Sequence, residues 1–134
     1  MPARPLLVLA SAALIAGCAA TPTPAPASAG TQSAVVVALR TWAPPSPIAC
    51  PEARTEGILV RQPKSGAGLR DNQGALKQVI WPTDYTARDD GGRLVVLDGG
   101  GNVIAHEGDR VEIGGQDVGG GTWLGCGGMR LMTP

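Results

Sequence analysis

From Glu56 onward this chain is cut by turn signals at intervals of roughly eight to twelve residues, the rhythm of a small β-barrel or sandwich. Gly57–Gln62 reads as a strand closed by Pro63, and Ala75–Trp81 as another stopped by Pro82. Lys64–Gly68 reads as a turn and Leu69-Arg70 as a short edge strand. Tyr85–Arg88 precedes Asp89-Asp90-Gly91-Gly92, a turn. Arg93–Leu97 and Asn102–His106 flank Asp98-Gly99-Gly100-Gly101, where glycine supplies the positive φ of a tight hairpin. Arg110–Ile113 alternates as a half-buried strand does. Gly114–Gly121 reads as loose, and Thr122–Met132 holds the last strand. Ala34–Leu39 opens this region as a first strand, and Thr41–Pro51 is a proline-rich loop. No stretch downstream of Ser33 carries helical periodicity. The expected fold is all-β: a small antiparallel, partly closed barrel of OB or SH3-like size, with about six or seven short strands.

The N-terminal quarter has a different character. Leu6–Ile15 is apolar behind Arg4, too short for the roughly 20 residues a spanning helix needs. It ends in Leu14-Ile15-Ala16-Gly17-Cys18, the pattern of a bacterial lipoprotein signal cut before the cysteine. Residues 1–17 are therefore expected to be a signal peptide, and Cys18 a lipidated N-terminus; the competing reading is an ordinary secretory signal cut near Ala20. Residues 18–33, with Thr21-Pro22-Thr23-Pro24-Ala25-Pro26, read as an extended tether. At about 3 Å per residue it spans up to roughly 45 Å. Residues 34–134 are left as the β domain. Ala19, where an aspartate would favour inner-membrane retention, points to the outer membrane in a two-membrane envelope, and otherwise to the outer face of the cell membrane.

Of three cysteines, Cys18 goes to lipid, and Cys50 and Cys126 remain as a pair in an oxidising compartment. A Cys50–Cys126 disulfide is expected, with two free buried thiols as the competing reading. Two cysteines and one distant histidine do not make a four-ligand zinc site, so no metal and no cofactor is expected. Eleven basic residues balance eleven acidic ones, and loss of Arg4 leaves a net charge of −1. Such a chain lacks bulk attraction for nucleic acid.

Several of these segments resemble small bacterial lipoprotein or secreted domains of unknown function. The resemblance runs through Glu56-Gly57-Ile58-Leu59, Val79-Ile80-Trp81-Pro82 with Tyr85, and Gly92–Asp98. It continues through Val103-Ile104-Ala105, Gly108–Gly115 and the late Cys126-Gly127. Where similar domains often run Cys-Leu-Arg, this chain has Gly68-Leu69-Arg70. The resemblance implies a compact β-barrel-like module and carries no catalytic residue with it.

The remaining chemistry is sparse. With no Phe in the chain, Trp81 is expected in the core; Trp42 and Trp123 are candidate ligand-binding residues, with core packing as the alternative. His106-Glu107-Gly108-Asp109 is where the only histidine meets acids, but no nucleophile is placed by spacing. Asp98–Asn102 lacks the ligand alternation of a calcium loop, and the glycine runs lack the following helix of a phosphate loop. The expectation is a non-enzymatic envelope module, anchored to the membrane through Cys18 and binding an envelope protein or glycan. Alternatives are an accessory subunit of an envelope complex, or a hydrolase of envelope polymers using Asp84, Asp109, Glu112 or His106.

Overall fold

The computed structural model describes residues 33–44 and 50–133, within one compact unit, Thr31–Pro134. Cys18, the expected signal peptide, and the tether up to residue 32 lie outside the described residues.

Ten strands form in chain order: β1 Val35–Val37, β2 Thr41–Trp42, β3 Arg54–Gln62, β4 Gly66–Arg70, β5 Leu76–Pro82, β6 Thr86–Asp90, β7 Arg93–Leu97, β8 Val103–His106, β9 Arg110–Gly119 and β10 Thr122–Leu131. They make two sheets, one ordered β1-β6-β7-β8 and one ordered β10-β9-β3-β4-β5-β2. In the second sheet β5 also pairs with β10, so the hydrogen bonding runs in a ring through five strands, although the ring is not a barrel. The closing contact is a short parallel one, Thr122–Leu124 against Gln78–Ile80.

The all-β class and the Cys50–Cys126 disulfide agree with expectation, and the strand count does not: ten replace the six or seven expected. β2 lies inside the segment read as a proline loop and runs parallel to β5. β4 lies between β3 and β5 and is no edge strand. Gly114–Gly119, read as loose, continues β9, with Gly115 opposite Gly125 and Gly114 opposite Gly127. These glycines let two backbones approach where side chains would separate them; a Cβ on Gly115 would run into the Leu124 carbonyl.

The core lies between the two sheets. Leu59, Leu69, Val79, Trp81, Val111 and Ile113 come from the ring, and Ala87, Leu94, Val96 and Ala105 from the four-stranded sheet. Each fully buried large side chain is worth roughly 1.5–3 kcal/mol. Trp81 is the largest of them, and its Nε1 donates to the Ala67 carbonyl at 3.1 Å, so its one polar atom is satisfied. Its ring lies 5.8 Å from that of Tyr85.

Burial raises the Tyr85 phenol above its ordinary pKa. Backbone hydrogen bonds from Met129 and Gly128, at the bulge in β10, oppose that shift, while the nearby Asp84 and Asp98 carboxylates add to it. β1 contributes less to the core than its valines suggest, because it is the outer strand of its sheet; Val36 is 81% exposed.

Candidate functional site

The two tryptophans singled out by sequence end in different surroundings. Trp123, near the start of β10, is only 5% exposed, so it packs in the core where a ligand-stacking role would require an open ring face. The Lys77 ammonium sits 5.2 Å from the centre of its ring and donates to Thr55 Oγ1 at 2.8 Å. The Trp123 Nε1 is buried with no hydrogen-bond partner, pressed against Gly115. Trp42 is half-buried, and its Nε1 donates to the Gly125 carbonyl at 2.6 Å. Beside that contact, Cys50 bonds Cys126 with the two Cα atoms 5.7 Å apart. β10 is thus tied twice to the segment that precedes β3.

The His106–Asp109 segment is a tight turn whose acids are engaged by backbone. Asp109 Oδ2 accepts the His106 N–H at 2.8 Å, and lies 3.6 Å from His106 Nδ1. Glu107 reaches across the sheets, accepting from the Leu94 N–H at 3.1 Å and the Arg61 N–H at 3.3 Å. Its carboxylate therefore fastens β7 to β3. Asp98 accepts from the N–H groups of Gly100 and Asn102, both at 2.9 Å, closing the β7–β8 hairpin. Those bonds, chiefly from Asn102, hold its carboxyl below the usual carboxylate range. Asp89 does the same for the β6–β7 turn, lowered first by the Gly92 N–H and then by Arg61. The sequence reading of these loops as hairpin turns is what their geometry shows.

A charged surface that local sequence did not reveal is assembled by register. Cross-strand partners share a face. Ile58 of β3 lies between Arg70 of β4 and Arg110 of β9. One pair further on, Glu56 faces Glu112, which faces Arg130 of β10, and Arg54 lies beyond. Glu112 Oε1 accepts from both Arg54 and Arg130 at 2.9 Å, while Arg110 donates to Glu56 at 2.8 Å and to Asn72 at 3.1 Å. Glu112 is well shielded at 14% exposure, whereas Arg54 and Arg130 are 53% and 63% exposed. Of the four acid or base candidates for a hydrolase, Glu112 is held in this ion-pair row, and Asp109 and His106 are in the turn. Asp84 sits against Gly99 near the β7–β8 hairpin.

Among the described residues, no group of three or more His, Cys, Asp or Glu side chains is arranged to hold a metal ion. No family model, curated protein or solved structure matches this chain.

Proposed function

We propose that this chain is a lipid-anchored cell-envelope protein, held to the membrane by acyl chains on Cys18, whose β domain is a non-enzymatic binding or interaction module. The observation that carries this reading is the disulfide between Cys50 and Cys126. Such bonds persist in oxidising compartments outside the cytoplasm, the destination that Leu14–Cys18 encodes. The two features are independent, one in the N-terminal segment and one in the domain, and both call for export.

The carboxylates support the non-enzymatic part. Glu107, Asp109 and Glu112 serve backbone N–H groups or arginines, which suits them to holding structure more than to moving protons. The resemblance of Glu56–Leu59, Val79–Pro82 and Gly108–Gly115 to small bacterial lipoprotein or secreted domains is consistent with the same reading. The partner is an envelope protein or glycan, and a two-membrane host would carry the protein on its outer membrane.

A second reading, an accessory subunit of an envelope complex, is favoured by β1. This outer strand shows Val35 and Val36 to solvent, an edge that another chain's strand can extend.

Metabolic labelling with an alkyne-bearing palmitate analogue tests the anchor. The protein is expected to take up label, and Cys18→Ala to lose it. Equal labelling of the two, or none in either, would refute lipidation at Cys18.

A further inference from the structure

We infer that the outward face of β3, β9 and β10 is a contact surface for an anionic lipid bilayer. This rests on the lipid-anchored reading above and deepens it by naming what one face of the domain lies against.

The face is charged in a way the whole chain is not. Arg54, Arg70, Arg110 and Arg130 share it with two carboxylates, Glu56 and Glu112, although the full sequence is balanced at eleven of each sign. The single Glu112 carboxylate serves two guanidiniums through one oxygen, so that cluster keeps a net positive charge. Each guanidinium has five N–H donors. Most of those on Arg54 and Arg130 remain for an outside acceptor, and two guanidiniums converging on one oxygen are spaced to share a phosphate.

The second observation is apolar and adjoins the first. An open groove of about 640 Å³ runs along the end of the same strands, lined by Ile58, Asp109, Arg110, Leu131 and Met132, with the Asp109 carboxylate turned to the His106 N–H and the Arg93 guanidinium. Leu131 pairs with buried Val111 yet is 54% exposed. Arg110 bordering exposed Leu131 and half-buried Ile58 and Met132 matches the chemistry of a membrane interface, where guanidiniums meet phosphates and aliphatic groups enter the acyl boundary. Nucleic acid offers phosphates but nothing for the groove. If residues 18–33 are the extended tether their composition suggests, its reach of up to roughly 45 Å would let this face meet the bilayer.

The test is covalent footprinting of arginines with phenylglyoxal on the purified protein, read residue by residue by mass spectrometry. Vesicles of phosphatidylglycerol mixed equally with phosphatidylcholine are compared with vesicles of phosphatidylcholine alone. At roughly fivefold in partitioning per basic residue, Arg54, Arg110 and Arg130 together favour the anionic vesicles by about a hundredfold, and all three are expected to react more slowly there. Arg88 and Arg93, on the other sheet, should keep their rates. High salt should abolish the protection, and the pair Arg54→Glu and Arg130→Glu, at exposed positions that spare the core, should abolish it at Arg110.

Equal rates on both vesicles would overturn the inference. So would protection by a soluble anionic polysaccharide without protection by vesicles. The mass of the Cys18 peptide is read in the same experiment. If no lipid is found there, the anchor fails while the footprint still reports on the face; lipid without a footprint is the reverse.

Discussion

The indole Nε1 of Trp42 donates to the carbonyl of Gly125 across 83 positions of sequence. Cys126, the next residue, is bonded to Cys50. Hydrogen bond and disulfide therefore clamp the same point of β10 to the stretch before β3. The ring of strands closes at this end of β10, where it also pairs with β5. The function proposed for the domain presupposes this clamp, because a displayed module of about 100 residues has only a modest core to hold its shape.

The two tryptophans on β10's surroundings should respond oppositely to removal of their N–H. Trp42→Phe loses a hydrogen bond and leaves the Gly125 carbonyl without it, an expected cost of about 1 kcal/mol. Replacing the Trp123 indole with benzothiophene, which keeps the ring volume, removes a buried donor that has no partner and is expected to be neutral or stabilising. Urea denaturation of the oxidised protein followed by circular dichroism gives both values. A loss at position 123 equal to that of Trp42→Phe would show that Trp123 Nε1 is satisfied in solution.

Breaking the disulfide should cost far more. The bridged cysteines are 76 positions apart, for which loop entropy gives about 4–5 kcal/mol. Cys50→Ala is expected to lower stability by roughly 2–5 kcal/mol. Its test is the urea midpoint of the variant against the oxidised protein, and matching midpoints would remove the clamp from the account.

Acid should weaken the hairpins in a defined window. In the folded protein Asp98 titrates below 3.8, its ordinary value, because N–H groups favour its charged form. The folded state therefore takes up this proton later than the unfolded chain does. The stabilisation is present above the unfolded pKa and is lost as pH falls through the folded one. Asp89 has the same sign. Asp98→Asn keeps an acceptor oxygen without the titration, so the acid side of its stability-against-pH curve should be shallower. Superimposable acid limbs would contradict this.

Gly66 marks where the β3–β4 turn admits no side chain. Its φ is +73°, and a Cβ there would fall on the Ala38 carbonyl. Gly66→Ala should lose more than about 1 kcal/mol, the scale of glycine's backbone advantage alone. A thermal melt checks it; an unchanged midpoint would mean that the turn is free to rearrange.

Punctuation carried much of the fold in the sequence. Asp98–Asn102 reads as a hairpin because aspartate and glycine supply the acceptor and the positive φ locally, and it is one. Pro82 stops β5 where expected, and Trp81 is buried beside it. What failed to show was whatever depends on a distant strand. Gly114–Gly119 has the composition of a loop, and becomes strand only because β10 pairs along it from Gly127 back to Thr122. Leu69-Arg70 looks like an edge until β3 and β5 flank it.

The candidate surface was illegible for the same reason. Arg54, Arg110 and Arg130 are scattered along the chain, and only register gathers them. Trp42 and Trp123 look alike in sequence, because burial follows from which neighbours the ring of strands brings.

The most direct measurement is the intact mass of the protein purified from its own membranes, before and after alkylation without reductant. The account predicts a chain that starts at Cys18, carries added acyl mass, and gains no alkyl group. A product that starts at Met1, lacks lipid and takes up alkyl groups on Cys50 and Cys126 would contradict it.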